Sequence, residues 1–294
     1  SCKLAGQLAL TVVAGVGMTS YASATNIGDT GAVGEGSIAV GPSKDACSNK
    51  TTASGMHSVS IGCETGAFAE GNNQTNLGYQ AGHSAKGNYN TAIGSNSGEG
   101  VTGNYNTALG YNSGQNITGS DNSFIGSSAG SSTKGDANVA LGLNAGTNVK
   151  GNNNIALGLN AGKAIEGTDN AAFGSTAGEF VVGNYNTAFG RSAGKGIKGD
   201  SNTSLGNGAG MNQQGKGNLS AGPSAGQGVY GDFNVMLGNT AKVDGSSKSN
   251  PVSRTVVIGS EARASYDDTV ALGSNTKAAH KNSVALGHAS ETKT

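Results

Sequence analysis

Four histidines (His57, His83, His280, His288) and three cysteines (Cys2, Cys47, Cys63) carry the strongest ligand and nucleophile chemistry in the chain. A catalytic zinc needs two histidines one helical turn apart around a glutamate, or paired cysteines with histidines close by. Neither spacing occurs. The phosphate-cradling GxxxxGK[ST] loop and the calcium-binding GGxGxD repeat are also missing. Asp121, Asp136, Asp169, Asp200 and Asp232 fall in one turn region, often beside glycine. Turn formation explains them, with a metal site as the lesser alternative. Glycoside hydrolysis needs paired carboxylates in a cleft, and nothing in the pattern builds one. No enzyme, catalytic residue, metal or cofactor is therefore expected.

The elements that would position any site are unusual. The chain has 294 residues, 52 of them glycine, with no tryptophan and 3 prolines. Eighteen acids balance eighteen bases, which argues against nucleic-acid and polybasic membrane binding. Residues 1–24, closing on Ala22-Ser23-Ala24 after an apolar run, read as the C-terminal part of a secretory signal peptide. Cys2 would leave with it. Cys47 and Cys63 would remain as a possible disulfide in an exported chain, or as two small buried thiols.

Repetition dominates the rest. Glycines at 62, 78, 94, 110, 126, 142, 158, 174, 190, 206, 222 and 238 are spaced by 16 residues, and Gly259, Gly273 and Gly287 by 14. Intervals of 21 flank the long series, from Gly41 to Gly62 and from Gly238 to Gly259. Helix-pair repeats need about 33 residues. A shorter period suits one coil of an all-β parallel solenoid. With strands about 4.8 Å apart, about 15 coils make a rod on the order of 70 Å long, stable only through stacking. The expected organisation is a lead-in at 25–35 and a head at 36–293. The head has 16-residue coils over about 58–242, an insert at 242–254 and 14-residue coils at 255–293.

Alternation within a coil assigns its faces. Residues just before the first glycine (Ile61, Leu77, Leu109, Leu141, Leu157, Phe189) and two positions earlier (Val59, Val139, Ile155) are expected to line the interior. The opposite face then carries Ala92, Ala108, Ala140, Ala156, Ala172 and Ala188. Alanines on an outer face suggest cover by a flat partner, most simply another copy of the chain, so they are the expected subunit interface. A second, half-exposed strand is expected around Val101, Ile117, Val149, Ile165, Val181, Ile197 and Val229. Asn90, Asn106, Asn122, Asn138, Asn154, Asn170, Asn186, Asn202, Asn218 and Asn234 share one register and should form a structural amide ladder. Tyr89, Tyr105 and Tyr185 share another, as stacked caps or as contact residues.

SIAVG at 37–41, SVSIG at 58–62, TVALG at 269–273 and SVALG at 283–287 resemble the head repeats of trimeric autotransporter adhesins of the YadA type. The resemblance covers most of 36–290. It implies a left-handed β-roll, a homotrimer, and display on the outer membrane of a Gram-negative bacterium. It further implies partners among host matrix proteins, host cell receptors or other bacteria, with roles in virulence and biofilm formation. No stalk or membrane anchor follows, so the chain reads as an excised head. Receptor-binding residues stay unassigned, with the two 21-residue intervals as irregular candidates. The alternatives are a phage tail-fibre or spike segment that binds surface glycans, and an ice-binding solenoid. The threonine row Thr75, Thr91 and Thr107 is read as interior, which weighs against ice binding.

Overall fold

The computed structural model describes residues 25–28, 30–42 and 49–292. They form a parallel β-solenoid with no helix. Three-residue strands, one per coil, stack into a 17-stranded sheet. Identical registers sit on one another, as in Val139↔Ile155, Ala140↔Ala156 and Leu141↔Leu157. The sheet passes from the 16-residue into the 14-residue coils without a slip, through Val235↔Val256 and Leu237↔Ile258. At the other end Thr25–Ile27 already pairs with Ile38–Val40, so the solenoid begins within the expected lead-in. The signal-peptide segment, 1–24, lies outside the described residues.

The two faces of the strand are the reverse of the sequence expectation. Ala156 is 2% exposed, and Ala92, Ala108, Ala140, Ala172 and Ala188 are equally enclosed by their own chain. They line the bore and are not a subunit interface. The larger side chains beside them point outward: Leu141 is 49% exposed and Phe189 61%. The reason is width. A β-carbon added to Gly162, at φ +57°, would lie 2.7 Å from the Ala156 methyl. With a glycine hydrogen facing a methyl at this distance, these coils have no room for leucine, which points out. Phe124 and Met236 are local exceptions. The Phe124 ring occupies the space beside Gly130, where a β-carbon would come within 2.1 Å of it.

The second strand is also corrected. Val101, Ile117, Val149, Ile165, Val181, Ile197 and Val229 are buried and complete the bore. Pairing there shrinks to a single bridge per coil at the next residue, as in Lys134↔Lys150 and Lys150↔Glu166. Left-handed corners use up the residues a longer strand would need: Asn144, Asn148 and Asn153 have φ of 55°, 59° and 56°. Asparagine tolerates this conformation better than most residues. This side does form short strands further along, at Lys242–Val243 in the 21-residue interval and at Arg263–Ala264 and Lys277–Ala278 in the 14-residue coils.

Ala156→Lys should therefore abolish folding, because an ammonium cannot enter a methyl-wide bore. Circular dichroism should show the β signal and cooperative melting lost. Lys150→Ala, at an exposed ion pair, should change stability by less than about 1 kcal/mol.

Candidate interaction surface

The surface rests on two hydrogen-bonded spines. The inner one is the asparagine row. The backbone N–H and Nδ2 of Asn106 both donate to Asn90 Oδ1, at 3.0 and 3.2 Å, and Nδ2 also donates to the Gly119 carbonyl at 2.9 Å. The pattern repeats up the rod, from Asn122 on Asn106 through Asn154 on Asn138 to Asn218 on Asn202. Asn234 closes it, its Oδ1 accepting from the N–H and hydroxyl of Thr255. Each buried amide thus satisfies its own groups and a backbone N–H of the next coil.

The outer spine escaped the sequence reading. Here a side-chain oxygen accepts the backbone N–H of the coil before it: Asn88 N–H to Asn104 Oδ1 at 2.8 Å, Ser120 N–H to Asp136 Oδ1 at 2.7 Å, Asn184 N–H to Asp200 Oδ1 at 2.7 Å, Lys216 N–H to Asp232 Oδ1 at 2.8 Å. The signal was available as Asn, Asp or Ser one residue after the third glycine of most coils. Three of the five aspartates grouped as one turn feature belong to this row. Asp121 and Asp169 lie one residue further on, at φ 61° and 57°.

The outward side of the main sheet is apolar. Leu77, Leu109, Ile125, Leu141, Phe189 and Leu205 are exposed along it. Phe173 and Phe189 meet with ring centroids 6.0 Å apart. Past the corner, Tyr79, Tyr111, Leu143 and Leu159 widen the stripe. Thr75, Thr91 and Thr107 share this outward face, so the reading of them as interior is withdrawn. They alternate with Leu77, Ile93 and Leu109.

The remaining sides are mostly polar, with exposed ion pairs such as Lys150–Glu166 at 2.7 Å. Tyr89 and Tyr105 stack at 4.8 Å with rings 5° from parallel, while Tyr185 stands exposed in the same register without a neighbouring tyrosine. Aromatics interrupt the polar sides at Phe68 and Phe233 as well, and in one coil three large apolar side chains are exposed together: Phe180, Val182 and Tyr185. Their registers hold Ala164, Glu166 and Asp169 one coil below and Gly196, Lys198 and Ser201 one coil above.

The insert is held by paired charges. Arg254 grips Asp268 through Nε at 2.6 Å and a terminal nitrogen at 2.9 Å. That hydrogen bond holds the Asp268 carboxyl below its ordinary pKa and raises the Arg254 guanidinium. Arg263 binds both oxygens of Asp244 at 3.0 Å. Cys63 is disulfide-bonded; its expected partner, Cys47, lies outside the described residues. Among the described residues no group of three His, Cys, Asp or Glu could hold a metal ion. No helix among them is long and apolar enough to cross a membrane.

The rod spends polar groups on its own spines and leaves one long apolar stripe uncovered, the geometry of a β-solenoid that presents a surface. Residues 254–276 and 264–290 match the YadA head domain repeat, in two copies. These last coils are similar to the head repeats of YadA, the repeat of trimeric autotransporter adhesins. A search of curated proteins finds no match to the chain.

The two spines should differ in weight. Asn154→Ala leaves the Asn170 backbone N–H and the Gly167 carbonyl without partners and removes one of the acceptors of Asn170 Nδ2. It should cost on the order of 3 kcal/mol. Asn184→Ala, whose side chain is half-buried, should cost about 1 kcal/mol or less. Chemical denaturation of both variants checks the ranking.

Proposed function

We propose that the chain is the head of a trimeric surface adhesin. Three copies lie side by side, each covering the apolar stripe of its neighbours. The stripe carries this reading: single exposed leucines are ordinary on a soluble protein, but a continuous exposed row is not. Covering each half-exposed Leu, Ile or Phe contributes about 1 kcal/mol, repeated coil after coil. The interface residues are then Leu77, Leu109, Leu141, Leu157, Phe173, Phe189 and Leu205, in place of the alanines. The YadA match covers only the last coils, and their unbroken register with the preceding coils supports extending the reading along the rod.

The sides left outward would contact a host matrix protein, a host cell receptor or another bacterium. Three equal copies give avidity from weak single contacts. The Phe180–Val182–Tyr185 coil is the proposed contact, because it clusters three exposed apolar side chains on an otherwise mostly polar side. Placement on a Gram-negative outer membrane, through segments beyond this head, and roles in virulence and biofilm formation belong to the same reading.

Leu141→Lys with Phe189→Lys should leave the β signal unchanged and reduce the mass in sedimentation equilibrium from three chains to one; an unchanged trimer would refute the interface. Phe180→Asn with Val182→Lys should keep the trimer and weaken attachment to matrix-coated surfaces or cells at least tenfold. Undiminished attachment would remove this coil from the contact.

A further inference from the structure

The bore repeats one apolar set, with methyl groups on the strand and valine or isoleucine opposite. Polar side chains interrupt it on the strand at Ser60 and Asn76, which contact each other, and again in two adjacent coils further along. There Ser204 and Ser220 stand in the register that holds Ala188 one coil below and Met236 one coil above, and Gln213 stands where Ile197 and Val229 mark the rule. All three are fully buried. Among the described residues, the Ser204 and Ser220 hydroxyls and both ends of the Gln213 amide have no hydrogen-bond partner. Other polar side chains in the bore do find one. Thr133, in the register of Gln213, donates to the Gly146 carbonyl at 3.1 Å; Ser97 and Ser113 donate to Ala108 and Phe124 carbonyls at 2.8 and 3.0 Å.

The unmatched groups converge. A β-carbon on Gly210 would lie 2.1 Å from Ser204 Oγ and 3.0 Å from Gln213 Oε1, so both flank one point in the bore. Ser220 is the direct strand partner of Ser204, one strand spacing away at about 4.8 Å. Ile197 and Ala188 close the bore on one side, Val229 and Met236 on the other, all buried. A buried polar group without a partner costs about 1–3 kcal/mol, and three such residues meeting by chance in one place would be severely destabilising.

We propose that this stretch is a built hydration site, where bound water bridges the Ser204 and Ser220 hydroxyls and the Gln213 amide inside the rod. Two hydroxyls and an amide offer the mixture of donors and acceptors that water requires. The side chains lining these coils are uncharged, which fits a neutral ligand rather than an ion. The apolar plugs on both sides seal the water in.

The test is a high-resolution crystal structure of the chain, together with melting temperatures of variants. A solvent peak within hydrogen-bond reach of Ser204 Oγ and the Gln213 amide is expected. S204A should then lower Tm by about 2–4 °C, because it strips a partner from the water. The triple variant S204A/Q213V/S220A gives these coils the side chains of their neighbours; it should lose the peak and recover at least the wild-type Tm. Direct Ser–Gln hydrogen bonds without a solvent peak would overturn the proposal. So would S204A raising Tm, the result of deleting a hydroxyl that has no partner.

Discussion

The width of the bore is the constraint on which the rest of the structure depends. In most 16-residue coils with three-residue strands a glycine hydrogen faces a methyl across the coil, as Gly162 faces Ala156. The same tightness holds at the corners. A β-carbon on Gly110 would come 2.6 Å from the Gly126 carbonyl oxygen of the next coil. Glycine abundance, low aromatic content and exact repetition are therefore one property: each coil must reproduce the backbone of the coil beneath it. With so little apolar area per coil, hydrogen bonding between coils carries an unusual share of the order. The asparagine row and the outer Asn, Asp and Ser row supply it from opposite directions.

The narrow bore also decides the surface. Apart from Phe124, Met236 and Val257, the large apolar side chains of the strand, mostly leucine and isoleucine with Phe173 and Phe189, point outward. The bore holds only a few large apolar residues, and the rest stay on the surface. Coil size thus leaves the outward apolar row that the proposed trimer would cover. The other sides carry salt-bridged lysines and glutamates, scattered aromatics such as Tyr89 and Tyr105, and the cluster Phe180, Val182 and Tyr185.

Periodicity made the architecture legible. Glycine spacing located the coils, the lengths of 16 and 14 residues separated the two segments, and one asparagine register marked the inner spine. Orientation was not legible, because alternation says which residues share a face but not which face is inside. The usual weighting of Leu141 over Ala140 pointed the wrong way, since it assumes a core with room for leucine. Val101 and Ile117 misled for a related reason: β-branched residues suggest a strand, but left-handed corners leave only one bridging residue beside them. The outer spine was hidden by its mixed composition. Asn, Asp and Ser look like generic turn residues until the hydrogen bonds show that each accepts from the coil before it.

Thiol labelling of Ala140→Cys and Leu141→Cys, in dilute and in concentrated protein, tests the inverted faces most directly. The account predicts that Ala140→Cys stays protected at every concentration. Leu141→Cys should react quickly when dilute and become protected as chains associate. Rapid labelling of Ala140→Cys beside an always protected Leu141→Cys would contradict it.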